Sequence, residues 1–130
     1  MKKILIQTLI ISLLFISFNA TAEIKHIKDG NVDAKVKLVV FESLTCSHCG
    51  DFHRDIYPKL KTDFIDKNLI LIEYRNFPLD IAAFNAAKIA HCRNDGKSEI
   101  LHHLYNNQSS WVRGSTIEDL NKNLKRVVQE

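Results

Sequence analysis

Two cysteines separated by two residues, in Cys46-Ser47-His48-Cys49, are the groups in this sequence best suited to chemistry. A sulfur that gives up its proton can attack a disulfide, and a second sulfur within bonding reach can then close onto the first. A bridge across so short a loop would stabilise little through chain entropy, so stapling does not explain the pair. The other chemistry open to Cys-x-x-Cys is half of a zinc site, which Cys92, His91, His48, His53, His102 and His103 could complete. No second Cys-x-x-Cys and no His-x-His hairpin accompanies it. The chain has three cysteines, an odd number, which in an oxidising compartment leaves either a spare thiol or a chemically active pair.

The elements around the pair favour the redox reading. Val36-Lys37-Leu38-Val39-Val40-Phe41 is β-branched and nearly continuously apolar, which predicts a strand covered on both faces. Ser43-Leu44-Thr45 breaks it. Cys49, Phe52, Ile56, Leu60 and Phe64 then recur at spacings of three and four, the apolar face of one helix, with Pro58 placed to kink it. Leu69 to Tyr74 reads as a second strand, so the segment is a right-handed βαβ unit with parallel strands. Cys46 therefore stands where a strand ends and a helix begins. Free backbone N–H groups and the positive end of the helix dipole favour a thiolate there. Cys49, one turn on, lies along the apolar face and is expected to be covered. The amides of Ser47 and His48, together with a charged His48 imidazole, would favour the Cys46 thiolate further. A stabilised thiolate stabilises the reduced pair and makes the couple oxidising, by about 30 mV for every ~1.4 kcal/mol.

Past Pro78 the pattern turns helical. Asp80 caps an alanine-rich helix (Ala82, Ala83, Ala86, Ala87, Ala90) that stops near Asn94-Asp95-Gly96. Ser98 is positioned to cap a second helix carrying Ile100, Leu101 and Leu104. Ser115 and Glu118 form a capping box for a third with Ile117, Leu120, Leu124 and Val127. Other residues receive plainer assignments. Cys92 is read as a small packed side chain, His102 and His103 as polar surface, and Trp111 as a core or interface aromatic. His53 is read as a packing residue able to lie beneath the site. Glu42 is either a proton-tuning group or a plain carboxylate at a strand end.

The N-terminus adds a location. Lys2 and Lys3 precede an apolar run from Ile4 to Phe18, followed by Ala20-Thr21-Ala22, the layout of a secretory signal peptide cut after Ala22. The run is about 15 residues, short of the roughly 20 needed to span a bilayer. With residues 1–22 removed, the 18 basic side chains fall to 16 against 15 acidic ones, so the charge balance gives no basic patch for nucleic acid. At 45 % hydrophobic the remainder is a globular domain, small for one core.

Several of these motifs together are similar to a known group. Leu38-Val39-Val40-Phe41, Ser43-Leu44-Thr45-Cys46-Ser47-His48-Cys49, Phe52-His53 and Tyr57-Pro58-Lys59-Leu60 resemble the DsbA-like thiol:disulfide interchange proteins with a thioredoxin fold. Arg75-Asn76-Phe77-Pro78-Leu79-Asp80, the helix leading to Cys92, and Gln108-Ser109-Ser110-Trp111-Val112 extend the resemblance from about residue 32 to 112. It implies an α/β fold, with a thioredoxin-like βαβ unit over residues 23–78 and an inserted helical subdomain over 79–130. It further implies Cys46 as nucleophile, Cys49 as resolving thiol and His48 as the residue tuning the thiolate, with no cofactor and no metal. The activity implied is periplasmic oxidation or exchange of disulfides in unfolded exported polypeptides bearing cysteines. A membrane quinone-linked thiol oxidase would be the reoxidising partner. The family also carries a Thr and cis-proline loop facing the cysteines, then two strands and a helix, and no part of this sequence matches that ββα portion; its prolines are Pro58 and Pro78. A truncated frame with impaired turnover is therefore a competing expectation, and a zinc-binding module a third.

Overall fold

The computed structural model describes residues 23–129; the signal-peptide expectation lies outside them. Three strands form one sheet in the order β1 (Ile27–Gly30), β3 (Ile70–Asn76), β2 (Val36–Glu42). The central strand, Ile-Leu-Ile-Glu-Tyr-Arg-Asn, pairs with β2 in parallel, from Val36 opposite Ile70 to Glu42 opposite Asn76. It pairs with β1 antiparallel, from Ile27 opposite Tyr74 to Gly30 opposite Leu71. The parallel βαβ unit is as the sequence predicts; β1 is an addition to it. Its four residues hold a single buried apolar side chain, Ile27, too little for a periodic signal. Gly30 closes this strand at φ +105°, and a Cβ there would stand 2.5 Å from the Ile70 carbonyl oxygen, so no other residue fits.

The expectation of a β2 strand covered on both faces is corrected. β2 is an edge strand, with Val36, Leu38, Val39 and Phe41 exposed, Phe41 by 69 %. A continuous apolar run states what the chain would tolerate on either face, not what packs there.

The helical run after the cysteines is continuous but not uniform. It passes through α1 (Ser47–Asp51), a π-helical segment (Phe52–Ile56), α2 (Tyr57–Leu60) and a second π-helical segment (Lys61–Ile65). In the wide turns the Tyr57 N–H bonds the Phe52 carbonyl and the Asp66 N–H bonds that of Lys61. Each wide turn uses one extra residue, which slides the buried face by one position. Ile56 and Phe64 consequently face solvent, while His53 and Ile65 are buried. Pro58, lacking an N–H, sits at the start of α2 where the pattern has already been interrupted.

The remaining helices are α3 (Ile81–Ala90), α4 (Glu99–Asn106), α5 (Gln108–Trp111) and α6 (Ile117–Val127). Asp80 caps α3, its carboxylate accepting from the Ala83 N–H at 2.7 Å, and the alanines Ala82, Ala83, Ala86, Ala87 and Ala90 let this helix pack closely. Two caps differ from expectation. Thr116, not Ser115, caps α6 by accepting from the Asp119 N–H. Ser98 precedes α4 but makes no capping bond, because its hydroxyl donates to Asp29 instead. Trp111 is fully buried, its Nε1 donating to the Leu104 carbonyl at 2.9 Å, and it joins Leu101, Leu104, Leu124 and Val127 in one core with the sheet.

Candidate active site

Cys46 occupies the N-cap position of the helical run, with extended backbone (φ −73°, ψ 119°), held by a turn in which its N–H bonds the Ser43 carbonyl. Its carbonyl accepts the first helical bond, from Gly50. The sulfur is left facing donors at the helix mouth. The Cys49 thiol and then the Cys49 backbone N–H are the main influences that lower the Cys46 pKa below the usual thiol range, with the His48 N–H adding to them. Cys49 goes the other way, pushed up to about 11, chiefly by burial and also by the charges of Cys46 and Glu42. Both are free thiols. One low sulfur and one high sulfur, one helical turn apart, form the asymmetric pair that thiol–disulfide exchange uses.

His48 reaches the pair through its backbone. Its imidazole is 94 % exposed and lies 3.6 Å from one Asp51 carboxylate oxygen, while Arg54 engages the other at 2.7 Å. The zinc alternative finds no ligand set: among the described residues no group of three or more His, Cys, Asp or Glu side chains is placed to hold a metal. Cys92 is exposed in the turn after α3, which corrects the expectation of a packed side chain; the chain turns there instead of continuing the helix.

Residues distant in sequence support the site. Gln108, at the start of α5, donates through Nε2 to the Leu44 carbonyl at 2.9 Å and the Cys46 carbonyl at 2.8 Å, clamping the loop that carries Cys46. A Cβ on Gly50 would come within 2.4 Å of Gln108 Oε1, so Gly50 makes room for this clamp. Thr45 donates to Asp80 at 2.6 Å, tying the same loop to the N-terminus of α3. No local pattern marks Gln108 as a partner of residues some sixty positions earlier.

Below the cysteines Glu42 and His53 are buried together, Oε2 to Nε2 at 2.8 Å, with Tyr105 stacked on the His53 ring at 3.9 Å. His102, expected at the surface, turns inward to His53 at 3.1 Å and to Asp29 at 2.8 Å. Burial disfavours the charged form of Asp29, but hydrogen bonds from His102, Ser98 and Tyr57 outweigh it and hold its pKa below the ordinary carboxylate value.

The sequence profile described as Thioredoxin matches residues 22–129. A Rickettsia bellii protein, provisionally named a protein-disulfide oxidoreductase, is 36 % identical over 93 residues, covering 70 % of this chain and 36 % of that protein. Disulfide bond formation protein D of Bacillus subtilis is 40 % identical over 47 residues, 36 % of this chain and 21 % of that one. A crystal structure of a Wolbachia pipientis alpha-DsbA1 variant superposes with TM-score 0.70 at 31 % identity, covering 80 % of this chain and 52 % of that one. The chain thus spans about a third of the length of its Rickettsia relative and about half of the Wolbachia one.

Proposed function

This chain belongs to the thioredoxin family, with a DsbA-like fold carrying a helical insertion, and we propose that it is a thiol:disulfide oxidoreductase of the cell envelope. Cys46 is the nucleophile and Cys49 the resolving thiol. In the oxidising direction a substrate thiolate attacks Cys46 of the Cys46–Cys49 disulfide and Cys49 leaves. A second substrate thiolate then attacks the mixed disulfide, and the Cys46 thiolate departs with the electron pair of the broken bond. The low pKa of Cys46 makes it the better leaving group, which drives disulfides into the substrate. His48 tunes the thiolate through its N–H. The substrates are unfolded exported polypeptides bearing cysteines, in the periplasm, and a membrane quinone-linked thiol oxidase regenerates the disulfide. The exposed apolar cleft of about 500 Å³ formed by Phe41, Pro78, Phe84, Lys88 and His91 suits an unfolded chain.

The observation that carries this reading is the placement of two free, half-buried thiols, Cys46 at the N-cap of a helix and Cys49 one turn into it. Redox titration against glutathione, joined to thiolate absorbance as a function of pH, tests it. We expect Cys46 to ionise below about 8.5 and the pair to be more oxidising than glutathione. A Cys46 that titrates at or above 8.5 overturns it.

The bare β2 edge favours a second reading, in which the cysteine geometry is retained without efficient turnover. Slow catalysis by a chain that unfolds non-cooperatively in denaturant would select it.

A further inference from the structure

The outer edge of β2 presents backbone that the rest of the fold leaves unused. The Glu42 carbonyl accepts from the Phe77 N–H at 2.8 Å, so Glu42 turns its polar backbone groups toward β3. Direction alternates along a strand, so Val40, Leu38 and Val36 face β3 as well. Lys37, Val39 and Phe41 therefore point their N–H and C=O groups away from the sheet. All three residues are exposed, and β2 has no strand on that side among the described residues. An extended chain laid there would satisfy every one of these groups.

The side chains along the edge say what would pair with it. Val39 and Phe41 are exposed on one face, Val36 and Leu38 on the other, and Phe41 continues into the cleft with Pro78 and Phe84. Both faces are apolar, so an occupant suits them with successive apolar residues. The free charges are cationic. Lys37 lies on the edge, Arg75 stands opposite Phe41 in the register, and Lys88 lines the cleft. The neighbouring acids are already engaged, Glu73 by Lys28 and Arg75, and Asp80 by Thr45 and the Ala83 N–H. A second copy of this chain would bring the same cations to the seam, whereas an acidic residue opposite Lys37 neutralises it. The strand also leads to the cysteines. β2 ends at Glu42, and the next turn is closed by the Cys46 N–H on the Ser43 carbonyl at 3.0 Å. A chain that follows β2 past Phe41 arrives at that turn. Antiparallel pairing is the more stable per residue, and it puts the arriving cysteine on the N-terminal side of the paired stretch.

We infer that β2 takes the substrate as an added antiparallel strand, and that the segment it selects is a cysteine followed by a short apolar, β-branched run ending in an acidic residue. This rests on the reading of Cys46 and Cys49 as the exchanging pair and specifies what that pair is offered. Lys37, Val39 and Phe41 hydrogen-bond the backbone of the segment, which supplies affinity whatever its sequence. Val36, Leu38 and Phe41 cover its apolar side chains, and Lys37 meets its acid. The thiol of the segment is then held at Cys46 for the exchange already described.

Quenched-flow reaction of the oxidised protein with synthetic peptides, read as mixed disulfide by mass spectrometry, tests this. One peptide carries a cysteine, a run of valine and threonine, and a closing glutamate. Its counterpart has proline at alternate positions of the run, which removes the donors that pairing needs. We expect the first to half-saturate the protein at about tenfold lower concentration than the second. Val39→Pro removes an outward N–H and leaves the bonds to β3, as a proline on an edge strand can. It should erase that tenfold difference, while the rate with glutathione, which is too short to pair along β2, stays close to wild type. Lys37→Glu should weaken binding of the acidic peptide and strengthen that of a peptide closing in lysine; it decides the matter if Val39→Pro does not fold. Equal half-saturation by the first two peptides on the wild type, or a loss in the variants that glutathione shares, overturns the inference. So does a dimer that sedimentation shows to come apart in Val39→Pro, since a second copy then occupies the edge. Failure of the wild type to exchange with glutathione sinks the exchange reading instead.

Discussion

The two sides of the helical run after Cys46 carry similar residues to opposite effect. On the solvent side Arg54 joins Asp51 and Asp55 at 2.7 and 2.8 Å, with side chains 49–65 % exposed, and His48 stands beside them almost fully exposed. On the buried side Glu42 and His53 meet at the same 2.8 Å with almost no exposure. Water screens the first set and competes for its hydrogen bonds, so those pairs contribute little. The second set has no such competitor, and each member depends on the others for its polar contacts. Nearness to the cysteines in sequence is therefore a poor guide to coupling. His48 lies between them and faces away, whereas His102 and Asp29 come from α4 and β1 and are joined to the pocket beneath.

The sharpest way to break this contrast is to delete one charge on each side. Glu42→Ala should lower stability by about 3–5 kcal/mol, the cost of leaving a buried partner uncompensated, as read by urea unfolding. Arg54→Ala should leave the unfolding midpoint unmoved. Equal midpoints for the two variants would mean that burial does not separate the two sides. The Gln108 clamp lies between these extremes. Gln108→Ala removes two hydrogen bonds to the Leu44 and Cys46 carbonyls and should cost about 2 kcal/mol. Gly50→Ala displaces the same side chain and should destabilise similarly, but add little once Gln108 is gone. An additive double mutant would show that Gly50 serves something other than this clamp.

Acid should reveal the contribution of Asp29. Asp29 has a folded pKa below its usual 3.8, so it binds protons less readily when folded than when unfolded. The stability this confers is present above about pH 4 and is lost as pH falls through the folded value. Asp29→Asn should flatten that acid limb of the urea midpoint plotted against pH; an unchanged slope would place the acid sensitivity elsewhere.

Much of the scaffold is legible from local pattern. The strand before Cys46, the strand ending at Tyr74, the Asp80 cap and the alanine face all rest on near neighbours, and so does the placement of Cys46 at a helix mouth. The parts that escape are set by distant contacts. The β1 strand exists because Ile27 and Tyr74 pair across the sheet. The π-helical turns move burial from Phe64 to Ile65, which a regular period of 3.6 cannot register. Two adjacent histidines read as surface because one helix face cannot hold both, yet His102 turns to His53 and His103 reaches the Val127 carbonyl. Ser98 looks like a cap because its usual partner is local, and Asp29 draws it away. For Gln108, only the assembled loop shows what its amide grips.

The smallest expected effect is the most specific. If residue 48 acts on Cys46 through its N–H, then removing the imidazole should matter less than removing the amide proton. His48→Ala keeps the donor and loses a side chain that is 94 % exposed, so the Cys46 ionisation curve should barely move. His48→Pro keeps the helical φ near −65° at this early helical position but has no N–H to give. Its Cys46 should ionise at higher pH than in His48→Ala, and the couple should become less oxidising in step, since the two quantities share one cause. Thiolate absorbance and a glutathione titration on both variants suffice. A large upward shift in His48→Ala matched by no further shift in His48→Pro would transfer the tuning to the ring, and with it the weight assigned to the solvent side of the helix.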